Sequence, residues 1–212
     1  MSGSLAASAR ASHRRQVGRH AAAQELDERA LLLADTDEER ADATSGLVAD
    51  ALGVGDSDRA FALLPAARQA AVGWRGRIRL GWVVAELSLL VGELRTAVAE
   101  ADEALTAARL AGAPRHVTKS LLVRGVARHV AGDRDGALDL LTALEQAQAA
   151  GLTSLVWPAA LVAAAAVPGR GDALRSVAAV AAASIVAGLG TAGPAFAARP
   201  DVAELLKHRR HG

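Results

Sequence analysis

Two Asp-x-Asp pairs, Asp56/Asp58 and Asp133/Asp135, have the spacing to grip a divalent cation once a substrate phosphate completes its shell. Both pairs follow directly on a glycine, Gly55 or Gly132, in the string Gly-acid-x-x-x-Ala. An acid at that place complements the positive end of a helix starting there, which explains position and recurrence together without a metal. The acidic run Asp35, Asp37, Glu38, Glu39 reads as a solvated helix start on the same ground. The six histidines, His13, His20, His116, His129, His208 and His211, fall in no His-Glu-x-x-His or comparable ligand spacing. Gly188-Leu189-Gly190-Thr191-Ala192-Gly193 matches the dinucleotide pattern G-x-G-x-x-G, but Pro194 interrupts the place where a phosphate-binding helix would begin. Too little chain follows for the second half of such a unit. No Gly-x-Ser-x-Gly elbow, Ser-x-x-Lys pair or Walker loop occurs, and the absence of Cys removes thiol nucleophiles, disulfides and Cys-based zinc sites. The expectation is a chain with no catalytic residue, no cofactor and no metal.

The elements that carry these residues follow from composition and period. The 212 residues are 51% hydrophobic but only 2% aromatic, with three Trp, two Phe and no Tyr, and runs such as Ala163 to Ala166 supply much of the apolar count. Small side chains suit closely packed helices, and the long segments between Gly and Pro breaks read at helical period with strong helix formers. The fold class is therefore all-α. A net charge of +1 gives no bulk attraction to nucleic acid or anionic lipid. Basic charge is almost all Arg, with Lys only at 119 and 207, which together with the Ala and Gly load suggests a GC-rich bacterial genome. Residues 1–19 lack the apolar stretch of a secretory signal and read as a disordered lead-in. Leu155 to Val167 and Val177 to Leu189 are each shorter than the roughly 17 to 25 residues that span a bilayer. No membrane association is expected, and the compartment expected is the cytoplasm.

The Gly-acid-x-x-x-Ala string recurs from Gly55, Gly92 and Gly132, with Glu93 and Asp133 as the later acids, and a degraded copy runs from Pro168. The terminal alanines Ala60, Ala97, Ala137 and Ala173 set a repeat near forty residues. Glycine closes one helix in a left-handed cap, the acid opens the next, and the small Ala lets the two cross closely. Each string is thus the turn of a helical hairpin, near residues 55, 92, 132 and 170. First helices are expected at about 37–53, 74–91, 114–131 and 154–167, and second helices at about 57–72, 94–111, 134–150 and 172–188. Pro65 should kink or shorten the first of these second helices. Residues 20–34, through Leu26, Ala30 and Leu33, and a last helix over about 200–210, through Val202, Leu205 and Leu206, are expected to cap the ends, with Lys207 to His211 solvated.

This pattern resembles the tetratricopeptide repeat (TPR) family, in a long-repeat bacterial form, across about residues 37 to 190. Ala85 and Gly125 stand where the family keeps a small residue before the turn, Ala67 and Ala104 where it keeps a later Ala, and Trp157 where it keeps an aromatic. The repeat exceeds the family's usual 34 residues, and its characteristic Tyr is absent. The resemblance implies a right-handed α-solenoid over residues 20–212 whose first helices line a concave groove. The groove positions it implies are Arg79, Trp82, Glu86 and Leu89 in one repeat, Lys119, Leu122, Val126 and His129 in the next, and Ser45, Ala49 and Leu52 in the one before. An apolar floor, one large aromatic and two cations suit a protein or peptide with an acidic segment. A family clamp that holds a terminal carboxylate with Lys, Arg and Asn is excluded, because the chain contains no Asn.

The expected role is a non-catalytic protein-binding or scaffold module. The competing readings are the sensor or scaffold part of a bacterial signalling or transcription system whose effector is on another chain, and a self-associating homodimer. Nucleic acid is not an expected partner.

Overall fold

The computed structural model describes residues 2–211, and side chains as far as Lys207, so the expected solvation of His208 to His211 lies outside the described residues. Among the described residues the chain is helical with no strand, and its helices pack as consecutive pairs. Where the sequence reads as one solenoid from residue 20, the structure has two compact units, Met1–Ala113 and Pro114–Gly212.

The first unit holds three hairpins: α1 (Gly3–Gln16) with α2 (His20–Leu32), α3 (Asp37–Gly53) with α4 (Ser57–Ala70), and α5 (Trp74–Leu90) with α6 (Leu94–Leu110). Entry to α3 is set by a capping box: the Thr36 hydroxyl accepts from the Glu39 amide at 3.2 Å, and the Glu39 carboxylate accepts from the Thr36 amide at 3.4 Å. The turns share one geometry. Gly55, Gly92 and Gly132 have φ of +78°, +80° and +79°. At each, the glycine amide and the next amide reach back to the last turn, as in Gly92 N–H to Leu89 O at 3.2 Å and Glu93 N–H to Ser88 O at 2.8 Å. Side chains with a Cβ rarely adopt this backbone, so Gly92→Ala is expected to cost about 1 kcal/mol, read as a lower midpoint in urea.

The lead-in expected over residues 1–19 is corrected, because Gly3–Gln16 is a helix with Ser4, Ala7, Ser8 and Ala11 buried. Its turn at Gly18 (φ +75°) closes as the others do, with Arg19 N–H bonded to Arg14 O at 2.9 Å. The left-handed glycines 18, 55, 92, 132 and 169 thus mark a fifth hairpin, the first in the chain, in register with the rest. Arg19 stands where the turns at Gly55, Gly92 and Gly132 carry an acid, as Arg170 does after Gly169. The buried face of α2 is Ala23, Asp27 and Ala30, whereas Leu33, expected to pack, is 43% exposed.

Between α3, α4 and α5 lies an aliphatic core of Val48, Ala51, Ala60, Ala67, Leu80, Val83, Val84 and Leu87. Each large aliphatic side chain buried there contributes about 1.5–3 kcal/mol. Helix α4 runs unbroken through Pro65, because Pro65 and Phe61 are both exposed and the carbonyl deprived of an amide partner can face water.

The second unit holds α7 (Pro114–Val130) with α8 (Asp135–Ala149), and α9 (Thr153–Ala166) with α10 (Gly171–Gly188). A 3-10 turn (Gly190–Ala192), α11 (Gly193–Ala197) and α12 (Pro200–His211) follow, with Phe196, Val202 and Leu205 buried. Two turn residues differ from expectation. The close approach after Gly132 is made by buried Gly136 while Ala137 is half-buried, because α8 starts only at Asp135. After Gly169 the buried residue is Leu174, and Ala173 is exposed. The Gly188 to Gly193 string ends one helix and opens a five-residue one, with no strand before it. By length and composition alone α10, 18 residues with a mean hydropathy of 1.3, is long and apolar enough to cross a membrane, longer than the apolar stretch read from sequence. Within its unit it packs against α9 and α12.

Candidate functional site

Helix α5 carries Arg79, Trp82 and Glu86 at steps of three and four, so one face presents all three. Glu86 is exposed, but Trp82 is only 8% exposed and belongs to the interior of the unit. The Arg79 guanidinium is turned inward to Asp42 of α3, with Nε 3.3 Å from Oδ1, and Nη2 donates to the Asp42 carbonyl at 3.4 Å. Its charge is therefore spent inside the fold, where burial pulls the guanidinium below its ordinary range and Asp42 opposes that pull. Ser45, a groove position in the sequence reading, is 2% exposed. In the second unit α7 holds Lys119 half-buried, Leu122 buried and His129 half-buried. Of the eleven positions expected to line a groove, seven lie in the first unit and four in the second, and of the seven only Glu86 is exposed.

The interior of the first unit holds a charge network on α1, α2 and α3. Arg15, from the last turn of α1, donates through Nη1 to Asp27 of α2, to Asp50 of α3 at 3.0 Å and to the Gly46 carbonyl at 3.4 Å. The Asp27 and Asp50 side chains are both 0% exposed, and a single guanidinium nitrogen serves them. His20 Nδ1 lies 3.8 Å from Asp50 Oδ1. Arg75 joins Arg79 on Asp42, with Nη2 2.9 Å from Oδ2. Burial drives the Asp27 carboxyl up to about 7 against the pull of Arg15, and Asp50 pushes in the same direction as burial. One sequence signal pointed here: Ala23, Asp27 and Ala30 are spaced four and three apart, which places a carboxylate within the apolar stripe of α2. Its partners on α1 and α3 are separated from it by turns, so no local motif names them.

Close packing holds the network in place. A Cβ at Gly46 would stand 2.6 Å from Asp27 Cγ, so the α2–α3 crossing that seats the carboxylate requires glycine. Helix α1 is tied at its other end as well. The Ser4 hydroxyl donates to the Ala30 carbonyl at 2.9 Å, and the Ser2 hydroxyl donates to Glu39, which with the Asp35 amide holds that carboxyl below its ordinary range.

The second unit has its own ion pairs. Arg124 of α7 clasps Asp139 of α8 through two nitrogens at 2.8 and 2.5 Å, and Arg128 approaches the same carboxylate at 3.4 Å. Near its C-terminal end Trp157 and Phe196 meet edge to face at 5.9 Å, and the Arg199 guanidinium lies 5.4 Å from the Trp157 ring centre.

On the surface of the first unit, a cleft of about 360 Å³ opens between the start of α5 and the end of α6, lined by Trp74, Arg77, Ala107, Leu110 and Ala111. Trp74 is 45% exposed and Leu110 85%, and among the described residues Arg77 forms no ion pair. Apolar surface beside an uncompensated cation is the makeup of a contact site. Among the described residues no group of three or more His, Cys, Asp or Glu side chains is placed to hold a metal ion. Compared with models of known protein families and with curated proteins, the sequence matches none.

Proposed function

We propose that the chain is a TPR-like repeat module, a right-handed solenoid of helical hairpins, that binds a protein segment carrying an acidic side chain beside an apolar one. The role is non-catalytic. The observation that carries the reading is the Trp74 cleft, where a partly exposed aromatic and an exposed leucine lie beside Arg77. Isolated exposed apolar residues are ordinary, but an aromatic anchor with a cation at its rim is what recognition of such a segment requires. The recurring turns support the solenoid reading, since hairpins closed alike at near-constant interval stack into an extended binding surface. The positive contact is assigned to Arg77 rather than Arg79, because Arg79 already faces Asp42.

Native lysate passed over the full chain, wild type beside an Arg77→Glu, Leu110→Asp double variant of equal helicity, tests the reading. A partner held by the wild type is expected to lose at least tenfold in affinity for the variant, the effect of removing a contact worth about 1.4 kcal/mol or more. A synthetic peptide of that partner's acidic and apolar segment should compete it off. Equal recovery by both proteins would overturn the assignment to this cleft, and recovery of only further copies of the chain would replace it with self-association.

A further inference from the structure

Helix α1 is held to the rest of its unit in an unusual way. Its buried residues are Ser4, Ala7, Ser8 and Ala11, and the apolar cluster beneath it consists of Ala7, Ala30 and Ala43 with Leu31 alongside. Within α1 no large aliphatic side chain is buried, and the one at its end is the cap residue Val17, in contrast with the Val- and Leu-rich core beneath α5. The long side chain that α1 sends inward is Arg15, and two wholly buried carboxylates, Asp27 and Asp50, meet it at one nitrogen. The second oxygen of each, Oδ1 in both residues, is buried and accepts no hydrogen bond among the described residues, and His20 Nδ1 is likewise buried without one. The other cations of the neighbourhood, Arg75 and Arg79 of α5, contact Asp42 of α3, and Arg79 also pulls on Asp27 from a distance, less strongly than Arg15 does. With both Asp27 and Asp50 ionised, two negative charges share one guanidinium in a site that water does not reach. With one proton on the pair, the shared guanidinium nitrogen meets a single negative charge.

We propose that Asp27, Asp50 and Arg15 form a proton-operated latch on α1, which docks firmly when the carboxylate pair holds one proton and loosens when both are ionised. The burial that raises Asp27 to about 7 places the change near neutrality. The folded protein then holds a proton that the unfolded chain has lost, so the stabilisation is complete below the ordinary carboxyl range and disappears as pH rises through about 7. Loosening α1 would uncover Ala43 and Gly46 on α3, which gives the first hairpin a response to pH independent of what the module binds.

Amide hydrogen exchange of the full chain at pH 5.5, 6.5 and 8.0, corrected for intrinsic rates, tests this, with α5 as the reference within the same molecule. Protection of α1 relative to α5 is expected to fall at least tenfold from pH 5.5 to 8.0 in the wild type, and to stay level in Asp27→Asn and in Asp50→Asn. A wild-type ratio that does not change with pH, a variant ratio that changes as the wild type does, or loss of protection in α1 and α5 together would each overturn the latch. Failure of both variants to fold would also overturn it, because a neutral partner for Arg15 is the state that the latch requires to be the firm one.

Discussion

Arg15→Ala is expected to be the most damaging single truncation in the first unit, lowering its unfolding free energy by about 3–5 kcal/mol. The substitution removes the charge that Asp27 and Asp50 share and leaves both carboxylates buried. The cost is mainly that of stranding those charges, so it exceeds anything the ion pair itself contributes relative to an apolar replacement. Two observations sharpen the test. Trp74 and Trp82 both lie in the first unit and Trp157 in the second, so tryptophan fluorescence in a Trp157→Phe background reports urea unfolding of the first unit alone. The raised Asp27 carboxyl also means that the penalty should be smaller at pH 5, where a proton can take the place of the guanidinium, than at pH 8. Asp27→Asn added to Arg15→Ala should recover part of the loss at pH 8. A loss under about 1 kcal/mol at pH 8 would show that Arg15 is not what neutralises the pair.

Gly136→Ala is expected to destabilise the second unit by about 1–3 kcal/mol, toward the upper end of that range. A Cβ at Gly136 would stand 2.6 Å from the His129 amide nitrogen and 2.9 Å from the Gly125 carbonyl oxygen. Both are backbone atoms of α7, so relief requires one helix to move off the other. The usual gain from replacing a helical glycine by alanine, about 1 kcal/mol, is therefore reversed in sign. Gly188→Ala is the internal control. A Cβ there has nothing within 4 Å, and a gain of about 0.5 kcal/mol is expected. Thermal unfolding by circular dichroism of the two variants should move in opposite directions. Equal shifts would mean that the α7–α8 crossing tolerates a methyl group.

The same geometry shows why exchanging Arg79 for an acid would be a poor probe of binding. A carboxylate at that position would face Asp42, and any lost interaction would report a disturbed interior.

The helices and the turns between them were legible in the sequence because they depend on contacts within a few residues. A glycine at φ near +80°, the Thr36 to Glu39 capping box and helical periodicity all act over one turn of chain, and α3 through α10 start and stop within about two residues of where those signals place them. The first hairpin is not legible as a copy of the string, because its turn carries Arg19 in place of an acid. Such an acid is worth only a few tenths of a kcal/mol to a helix start, so the fold can omit it, whereas a side chain at the left-handed Gly18 would cost about 1 kcal/mol. Packing alone decided that Gly136 and Leu174 take the close positions expected of Ala137 and Ala173, since an offset of one residue turns a helical side chain by about 100°. Tertiary structure also decided the fate of the charges. Arg79 lies 37 residues from Asp42, and Arg15 lies 35 residues from Asp50. An arginine on a helix reads alike in sequence whether it faces solvent or a buried carboxylate, and the difference is set by which helices the chain stacks against it.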